Sequence, residues 1–511
     1  MAAMMTVEFQ NCFLFILLCF FTFLCYALFF KKPKGPRLGC DLPPSPPSLP
    51  IIGHLHLILS VLIHKSFQKI SSKYGPFLYL RIFNLPIVLV SSASVAYEIF
   101  RSQDVNISSR GPSPIKKSLL LGSSNVINAP YGDYWKFMKK LMVKKLLGTQ
   151  AIERSRKFRA DELDQFYRNL LEKAIKKESV EIGEEAMKFT NNSICKMVMG
   201  RSCSEENGEA ERVRSLVTKS TSLTTSFFLA AILRKPLKKL GISLFKKEIM
   251  GVSRRFDEVL KKILVEHEKK LEEHHQGTDM MDVLLEAYGD ENAEYKITRS
   301  HIKSLFVDLF VAGTDTSMHT IQWILAEIIN SPKILERLRK EIDSVVEKTR
   351  LIQETDLLNL PYLQAVVKEG LRLHPPVPLV LRTFQEECKI GGFYVPENTA
   401  LVVNGYAVMR DPDIWEDPDE FKPERFIASS RSEKEDVLKF IAFGSGRRGC
   451  PGTNLASIFI GTAIGMMVQC FDYNIKGDKV NMAEAGGLNL TMAHPLQCTL
   501  VPRTKPFQCN L

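Results

Sequence analysis

The stretch Phe443-Gly444-Ser445-Gly446-Arg447-Arg448-Gly449-Cys450-Pro451-Gly452 gathers the residue types that could aim one thiolate at a metal or an electrophile. Three glycines precede the cysteine and one follows it, a backbone freedom that a packed strand or helix interior does not tolerate. Such a loop can turn its amides toward Cys450. Amide donors together with Arg447 and Arg448 favour the charged sulfur, and the resulting low thiol pKa yields the form that ligates metals or attacks electrophiles. Beyond Pro451-Gly452, Leu455, Ile458, Phe459 and Ile464 fall at helical spacing, so the loop is expected to feed a helix whose positive end adds to the same bias. Taken alone, the loop leaves nucleophile and metal ligand both open.

A second group of reactive types lies in a long helix expected to start at Thr298, a capping residue, and to end near Asn330 ahead of Ser331-Pro332. Its middle, Ala312-Gly313-Thr314-Asp315-Thr316-Ser317, sets a glycine, two threonines and an aspartate into an otherwise apolar helix. The glycine alone costs about 1 kcal/mol relative to alanine. Small residues would let a flat ligand approach, and threonine hydroxyls bonding back to the helix can open a groove for water or a diatomic molecule. By itself this segment also reads as a bent core helix. Lys368-Glu369-Gly370-Leu371-Arg372 follows on a helix introduced by Leu360-Pro361, with Glu369 and Arg372 three apart on one face. The apolar neighbours Val366, Val367, Leu371 and Leu373 indicate burial, and Arg425 of Pro423-Glu424-Arg425-Phe426 can supply a third ionic member.

The elements that position these groups belong to a 511-residue chain with 45% hydrophobic and 24% charged residues, ordinary for a globular protein. The net charge of +11 is scattered among acids, with no basic run interleaved with aromatics, so a nucleic-acid partner is not indicated. A basic face suits an anionic membrane surface or an acidic protein partner. The eleven cysteines follow no disulfide-like or C-x-x-C spacing, which suits a reducing compartment.

Cys12 to Phe30 is an almost unbroken apolar run, long enough to cross a bilayer as a helix. No Lys or Arg precedes it, and Lys31, Lys32, Lys34 and Arg37 follow, which predicts an anchor with the body on the cytosolic side. The sequons at Asn106, Asn191 and Asn489 would then stay unmodified. Pro43-Pro44-Ser45-Pro46-Pro47-Ser48-Leu49-Pro50 reads as a stiff extended spacer. The expected organisation is an anchor over 1–30, a basic and proline-rich hinge over 31–50 and one catalytic domain over 51–511. Phe77 to Val90 reads as a hairpin around Asn84-Leu85-Pro86, and most of the chain beyond Val90 reads as helix.

These residues carry a resemblance: over essentially its whole length the chain is similar to a cytochrome P450 of the plant microsomal type. Phe443 to Gly452 resembles the haem-binding signature of that family, a highly specific motif. The resemblance implies a mainly α cytochrome P450 fold, a large helical domain with a small β region, preceded by one transmembrane helix. It implies haem b, iron protoporphyrin IX, with Cys450 as the proximal thiolate ligand, Phe443 packed near it and Arg448 paired with a propionate. Trp135 and Lys139, in Tyr134 to Lys139, match the helix that contacts the propionates, with Lys139 where arginine is usual and bidentate geometry therefore lost. Arg382, after Pro375-Pro376-Val377-Pro378, is a further propionate candidate. Ala312 and Gly313 belong to the oxygen-activating groove, where Asp315 and Thr316 organise a water chain that delivers protons. Glu369, Arg372 and Arg425 match a structural ionic triad.

The reaction implied is monooxygenation by O2, with NADPH electrons delivered by a separate NADPH-cytochrome P450 reductase docking near Arg447 and Arg448. The implied location is the endoplasmic reticulum membrane, single-pass, with the catalytic domain cytosolic. Substrate contacts are expected in Ser113 to Ser124, Thr221 to Ala231, Leu309 to Ala312, Val377 to Leu381 and Leu488 to Leu490, mostly apolar or small residues that suit a lipophilic substrate. The chain looks most similar to plant enzymes that oxidise triterpenoids, with flavonoid, isoflavonoid and phenylpropanoid oxidases as the alternative. A haem-thiolate isomerase or lyase tends to lack the acid–threonine pair that Asp315 and Thr316 supply; a non-catalytic haem or lipid binder is the remaining class. No histidine with a partnering acid forms an obvious nucleophile-activating set, which favours Cys450 as a metal ligand.

Overall fold

The computed structural model describes residues 41–58, 60–111, 115, 117–120, 122, 124–200, 208, 211–223, 244–272, 279–427 and 440–503, together with 15, 16, 18 and 19. Of the apolar N-terminal run only those last four positions are described, and they are helical and exposed. The segments expected at 31–40 and at 224–231 lie outside the described residues. The proline segment is extended and lies on the body: the Tyr79 amide donates to the Pro44 carbonyl at 2.8 Å, and the His54 ring bonds the Pro46 carbonyl at 2.8 Å.

The hairpin forms at the expected place. β1 (Phe77–Ile82) pairs antiparallel with β2 (Leu85–Val90), from Phe77 opposite Val90 to Ile82 opposite Leu85. β2 pairs in parallel with β7 (Ala400–Asn404), and β7 pairs antiparallel with β4 (Leu379–Thr383), which carries Arg382. At the free edge of β4 the Thr383 amide donates to the Ser109 carbonyl at 2.9 Å, so the chain around 109 is held beside Arg382. Smaller sheets join β3 (Ser179–Glu181), β11 (Gln497–Pro502) and β8 (Phe471–Asn474), then β5 (Cys388–Ile390) with β6 (Phe393–Val395), and β9 (Glu484–Ala485) with β10 (Thr491–Met492).

Five helices matter for the site: α1 (Asp133–Leu141), α2 (Ile182–Met199), α3 (Arg299–Asn330), α4 (Pro361–Leu373) and α5 (Thr453–Cys470). α3 begins where the sequence places it. The Thr298 hydroxyl accepts from the His301 amide at 3.3 Å, and the His301 ring accepts from the Thr298 amide at 3.2 Å. It stays helical through Gly313 to Asn330, buried on several sides by residues such as Phe306, Ile321, Trp323 and Leu325, which is why it shows no continuous polar face. α5 is, among the described residues, the helix long and apolar enough to span a bilayer, yet most of it is buried inside the protein, so it is a core helix.

α4 packs closely on α3. A Cβ at Gly370 would stand 2.2 Å from Ile324 Cγ1, so only glycine allows this approach. The closeness buries the ionic group on the other side of α4. Glu369 grips Arg372 with two bonds of 2.7 and 2.9 Å, and both side chains are 0% exposed. Arg425 Nε reaches the same carboxylate at 3.0 Å, and the Lys422 amide at 2.9 Å. The remaining Arg372 protons go to the carbonyls of Met409 at 2.8 Å, Pro418 at 2.7 Å and Glu420 at 3.2 Å. With every charge paired and every donor directed, the group ties α4 to the segment leading into the Cys450 loop. Glu369→Gln keeps the shape and leaves buried Arg372 and half-buried Arg425 without a counter-charge. It should lower stability by about 3–5 kcal/mol, read as a fall in the thermal midpoint of the purified holoprotein; an unchanged midpoint would show that this network does not hold the fold.

Candidate active site

The cysteine loop is folded by its own backbone. Gly444 N donates to Ile441 O at 2.8 Å, Gly449 N to Gly446 O at 2.9 Å and Cys450 N to Phe443 O at 2.9 Å. Gly446 has φ +69°, and a Cβ there would meet Asp104 Oδ1 at 2.1 Å, so this glycine answers both a left-handed backbone and a close neighbour. Asp104 accepts from the Arg447 amide at 2.9 Å and pairs with its guanidinium at 3.3 Å, which pins the turn from outside. α5 starts immediately after, capped at Gly452.

Cys450 is accessible to solvent, yet enough protein surrounds it that burial raises its thiol pKa above the ordinary value. A group both accessible and desolvated faces a concavity. The Gly452 amide, Lys139, the Thr453 hydroxyl and Arg110 act in the other direction and favour the thiolate. Two expectations are corrected here. Burial outweighs those groups and raises the thiol pKa, and the loop arginines are not the cations that face it. Arg447 is turned to Asp104, and Arg448 is buried. Arg448 therefore cannot present charge to a docking partner.

Arg448 instead ties the loop to the chain in front of it. Its Nε donates to Ser108 O at 2.6 Å, Nη1 to Val126 O at 3.3 Å, and Nη2 to Ala129 O at 2.5 Å. Its guanidinium lies 4.4 Å from the Trp135 ring centroid. Around it stand three further cations. Lys139, on α1, donates to Gly449 O at 2.7 Å, and Arg382 donates to Leu381 O at 2.9 Å and to Arg448 O at 3.3 Å. Arg110 donates to Ile127 O at 3.2 Å. None of the four pairs with a carboxylate among the described residues. Burial and then mutual repulsion depress Arg382 far below its usual value, Arg448 falls to about 9, and Lys139 and Arg110 are lowered by burial.

The second half of the site is the middle of α3. Ala312 is exposed between buried turns, and Leu309 and Thr316 are half-buried on the same face. Thr316 Oγ1 donates back to Ala312 O at 2.6 Å, and Thr320 Oγ1 to Thr316 O at 2.8 Å, so the helix carbonyls take side-chain donors as the sequence suggests. Gly313 differs from expectation. A Cβ there would meet Ile194 Cδ1 of α2 at 2.6 Å, so its smallness serves helix packing and does not face the Ala312 opening. α2 also supplies Thr190, which donates to Thr314 O at 3.3 Å, and Asn191, 3.5 Å from Thr314 Oγ1. Asp315 points to another side, where Asn489 Nδ2 donates to Oδ2 at 3.1 Å and His319 Nε2 stands 3.5 Å away.

The two halves are joined by the chain over 125–129. Asp308 of α3 accepts from the Asn125 side chain and from the Val126 amide at 2.9 Å, while Arg448 holds the Val126 and Ala129 carbonyls from the other side. Burial pushes the Asp308 carboxyl up to about 7, against those donors and Arg110. Sequence reasoning gave no role to Arg110, Asp308 or His319, and named Asn489 only as a sequon and within the 488–490 contact. Arg110, Asp308 and Asn489 act on residues brought close only by folding, whereas His319 stands four residues from Asp315 on α3, a local spacing that could have marked it. Of the expected 488–490 contact, Leu488 and Leu490 are buried in the core, and the open residue between them is Asn489, turned to Asp315. The sequons behave alike: Asn191 is fully buried, and Asn106 Oδ1 accepts from the amides of Gln385 and Glu386 at 2.8 Å.

Known proteins match this chain along its length. Residues 43–500 fit the cytochrome P450 family profile. Cytochrome P450 705A5 of Arabidopsis thaliana is 71% identical over 508 residues, 98% of this chain and 99% of that protein. Cytochrome P450 93B2 of Gerbera hybrida is 40% identical over 502 residues, 96% of this chain and 97% of that protein. The 3,9-dihydroxypterocarpan 6A-monooxygenase of Glycine max is 38% identical over 506 residues, 96% of this chain and 98% of that protein. A cysteine loop beside four cations, a long helix with a short polar stretch and matches of this extent have one reading: the chain belongs to the cytochrome P450 family of monooxygenases.

Proposed function

We propose that this chain inserts one oxygen atom of O2 into a lipophilic plant secondary metabolite, a triterpenoid, using NADPH electrons delivered by a separate NADPH-cytochrome P450 reductase. The balance is O2, two electrons, two protons and a C–H bond giving C–OH and water. The observation that carries the reading is the set of four cations without carboxylate partners beside an accessible cysteine. That donor set fits iron protoporphyrin IX, which offers two carboxylates to cations and one axial position to a thiolate. When bound, this group supplies one-electron and O2 chemistry. Cys450 would ligate its iron, and Arg110, Lys139 and Arg382 would face its propionates, with Trp135 supporting Arg448 from behind. Phe443 would lie beside the ligand, its carbonyl holding the Cys450 amide.

Ala312, exposed on α3, would leave room beside the bound group, and Thr316 would present a hydroxyl oriented by the Ala312 carbonyl. Asp315, largely buried and held by Asn489, holds a proton more readily than a solvated carboxyl because burial raises its pKa. It would pass that proton on through Thr316. The residues 1–30 would anchor the enzyme in the endoplasmic reticulum membrane, with 31–50 as the connection and 51–511 as the cytosolic catalytic body.

The lipophilic substrate is supported by Leu309, Ala312, Val377, Val380 and Leu381, apolar residues that stand open or half-buried in the expected contact segments, alongside the polar Lys117, Ser124, Thr221, Ser222 and Asn489. A flat phenolic scaffold is the second reading, favoured by the relative from Glycine max whose name states a dihydroxypterocarpan.

Four outcomes test the proposal. Reduced wild type under carbon monoxide should give the red-shifted Soret band of a thiolate ligand, and Cys450→Ala should abolish it; retention in the variant would overturn the ligand assignment. Arg110→Ala should leave a smaller haem-to-protein ratio after purification, and an unchanged ratio would remove Arg110 from the propionate site. Thr316→Ala should lower product per NADPH by at least roughly tenfold with electrons diverted to peroxide, while feeding triterpene and phenylpropanoid scaffolds to wild type plus reductase decides the substrate class by product mass.

A further inference from the structure

Asp315 has a second titratable group directly beside it. His319, one turn along α3, brings Nε2 to 3.5 Å from Asp315 Oδ2, the outer edge of hydrogen-bonding distance. The same oxygen accepts from Asn489 at 3.1 Å, and Thr221, whose hydroxyl donates to Val217 O at 3.2 Å, acts on the carboxylate from nearby. Both partners are withdrawn from water, with side chains 14% exposed at His319 and 7% at Asp315. The groups that act on Asp315 are His319, Asn489 and Thr221, and the one that acts on His319 is Asp315. No lysine, arginine or other carboxylate bears on the pair among the described residues.

Burial acts on the two in opposite senses. It raises the carboxyl pKa and lowers that of the imidazole, so the two acidities approach each other and one proton can sit on either partner at small cost. The far nitrogen of the ring, Nδ1, is buried and bonds no group among the described residues. A buried polar atom left without a partner costs roughly 1–3 kcal/mol, so this edge of the ring suits a water. A neutral imidazole carries one donor and one acceptor nitrogen. With Nε2–H turned to Asp315, Nδ1 is the acceptor and faces that water.

We propose that His319 is a positioning residue that holds Asp315 and shares its proton, so that the acid serving Thr316 is a buried aspartate–histidine pair open to water through Nδ1. The proposal rests on the reading that Asp315 and Thr316 supply protons to the reaction. Asp315 gives its proton toward Thr316 and takes one from Nε2, while Nδ1 takes one that water brings from solvent as hydronium; one proton enters, one leaves, and nothing is oxidised or reduced. Asn489 keeps Oδ2 from rotating away while this happens. The pair lies along α3 next in sequence to Thr316, whose hydroxyl bonds the Ala312 carbonyl.

The test uses the holoenzyme with reductase, measuring product and peroxide per NADPH from about pH 6 to about pH 9, the range in which a histidine titrates. His319→Gln should lower product per NADPH by roughly ten- to hundredfold, as removal of an orienting partner does elsewhere, and should flatten the pH profile. Independently of turnover, 15N-histidine spectra of the ferrous carbon monoxide form should contain one signal absent from His319→Gln. In Asp315→Asn that signal should titrate at lower pH, because the carboxylate that favours the charged ring is gone. If Asp315→Asn uncouples the enzyme while His319→Gln and His319→Ala keep wild-type coupling and pH profile, the inference is overturned and the proton-delivery reading stands. If Asp315→Asn leaves coupling intact, that reading falls and the inference with it. A His319 signal indifferent to Asp315→Asn overturns the pairing even where a His319 variant fails to fold.

Discussion

Positive charge without a protein counter-charge is the constraint around which this molecule is arranged. Arg110, Lys139, Arg382 and Arg448 come from the edge of a sheet, two loops and a helix, and each elevates the cost of charging another. A chain left to itself gains nothing from such an arrangement, because buried like charges repel and are not offset by water. A doubly anionic cofactor bound there would offset that repulsion with new attractions. Anything that binds the folded state alone also stabilises it by mass action. On the proposed reading, cofactor binding and folding would therefore be coupled through these cations.

The same region explains why the reactive halves keep a fixed relation. The chain over 125–129 is held by Asp308 on one side and by Arg448 on the other. Its carbonyls face the cysteine loop and its amides face the long helix, so a loop with no regular structure acts as a rigid spacer. Below it the Glu369 network fixes the segment that leads into the cysteine loop. Both groups are buried, and both serve the geometry of the site without taking part in its chemistry.

Much of this was legible in the sequence where the signal is local. Thr298 marks the start of α3 because a cap acts within three residues, and Thr316 back-bonds to Ala312 because a helix places i and i+4 together. Glu369 and Arg372 likewise share a face, and Phe77 to Val90 carries its own turn. What the sequence hides is set by neighbours distant along the chain. The thiol pKa of Cys450 depends on burial and on Lys139 and Arg110, not on the arginines two and three residues away. Gly313 reads as room for a ligand until α2 is seen to lie against it. Leu488 and Leu490 read as substrate contacts, although the polar residue between them is the one that reaches the site.

The bonds that close the cysteine loop onto the rest of the protein span about two-thirds of the chain. Arg447 to Asp104 crosses 343 residues, Arg448 to Ala129 crosses 319 and Lys139 to Gly449 crosses 310. Contacts of such separation carry a large loop-closure entropy and form after local helices and hairpins. Arg110 and Lys139 come from the first third of the chain and the cysteine loop from its last fifth. The cation cluster thus comes into being late in folding, when segments far apart in sequence have found each other.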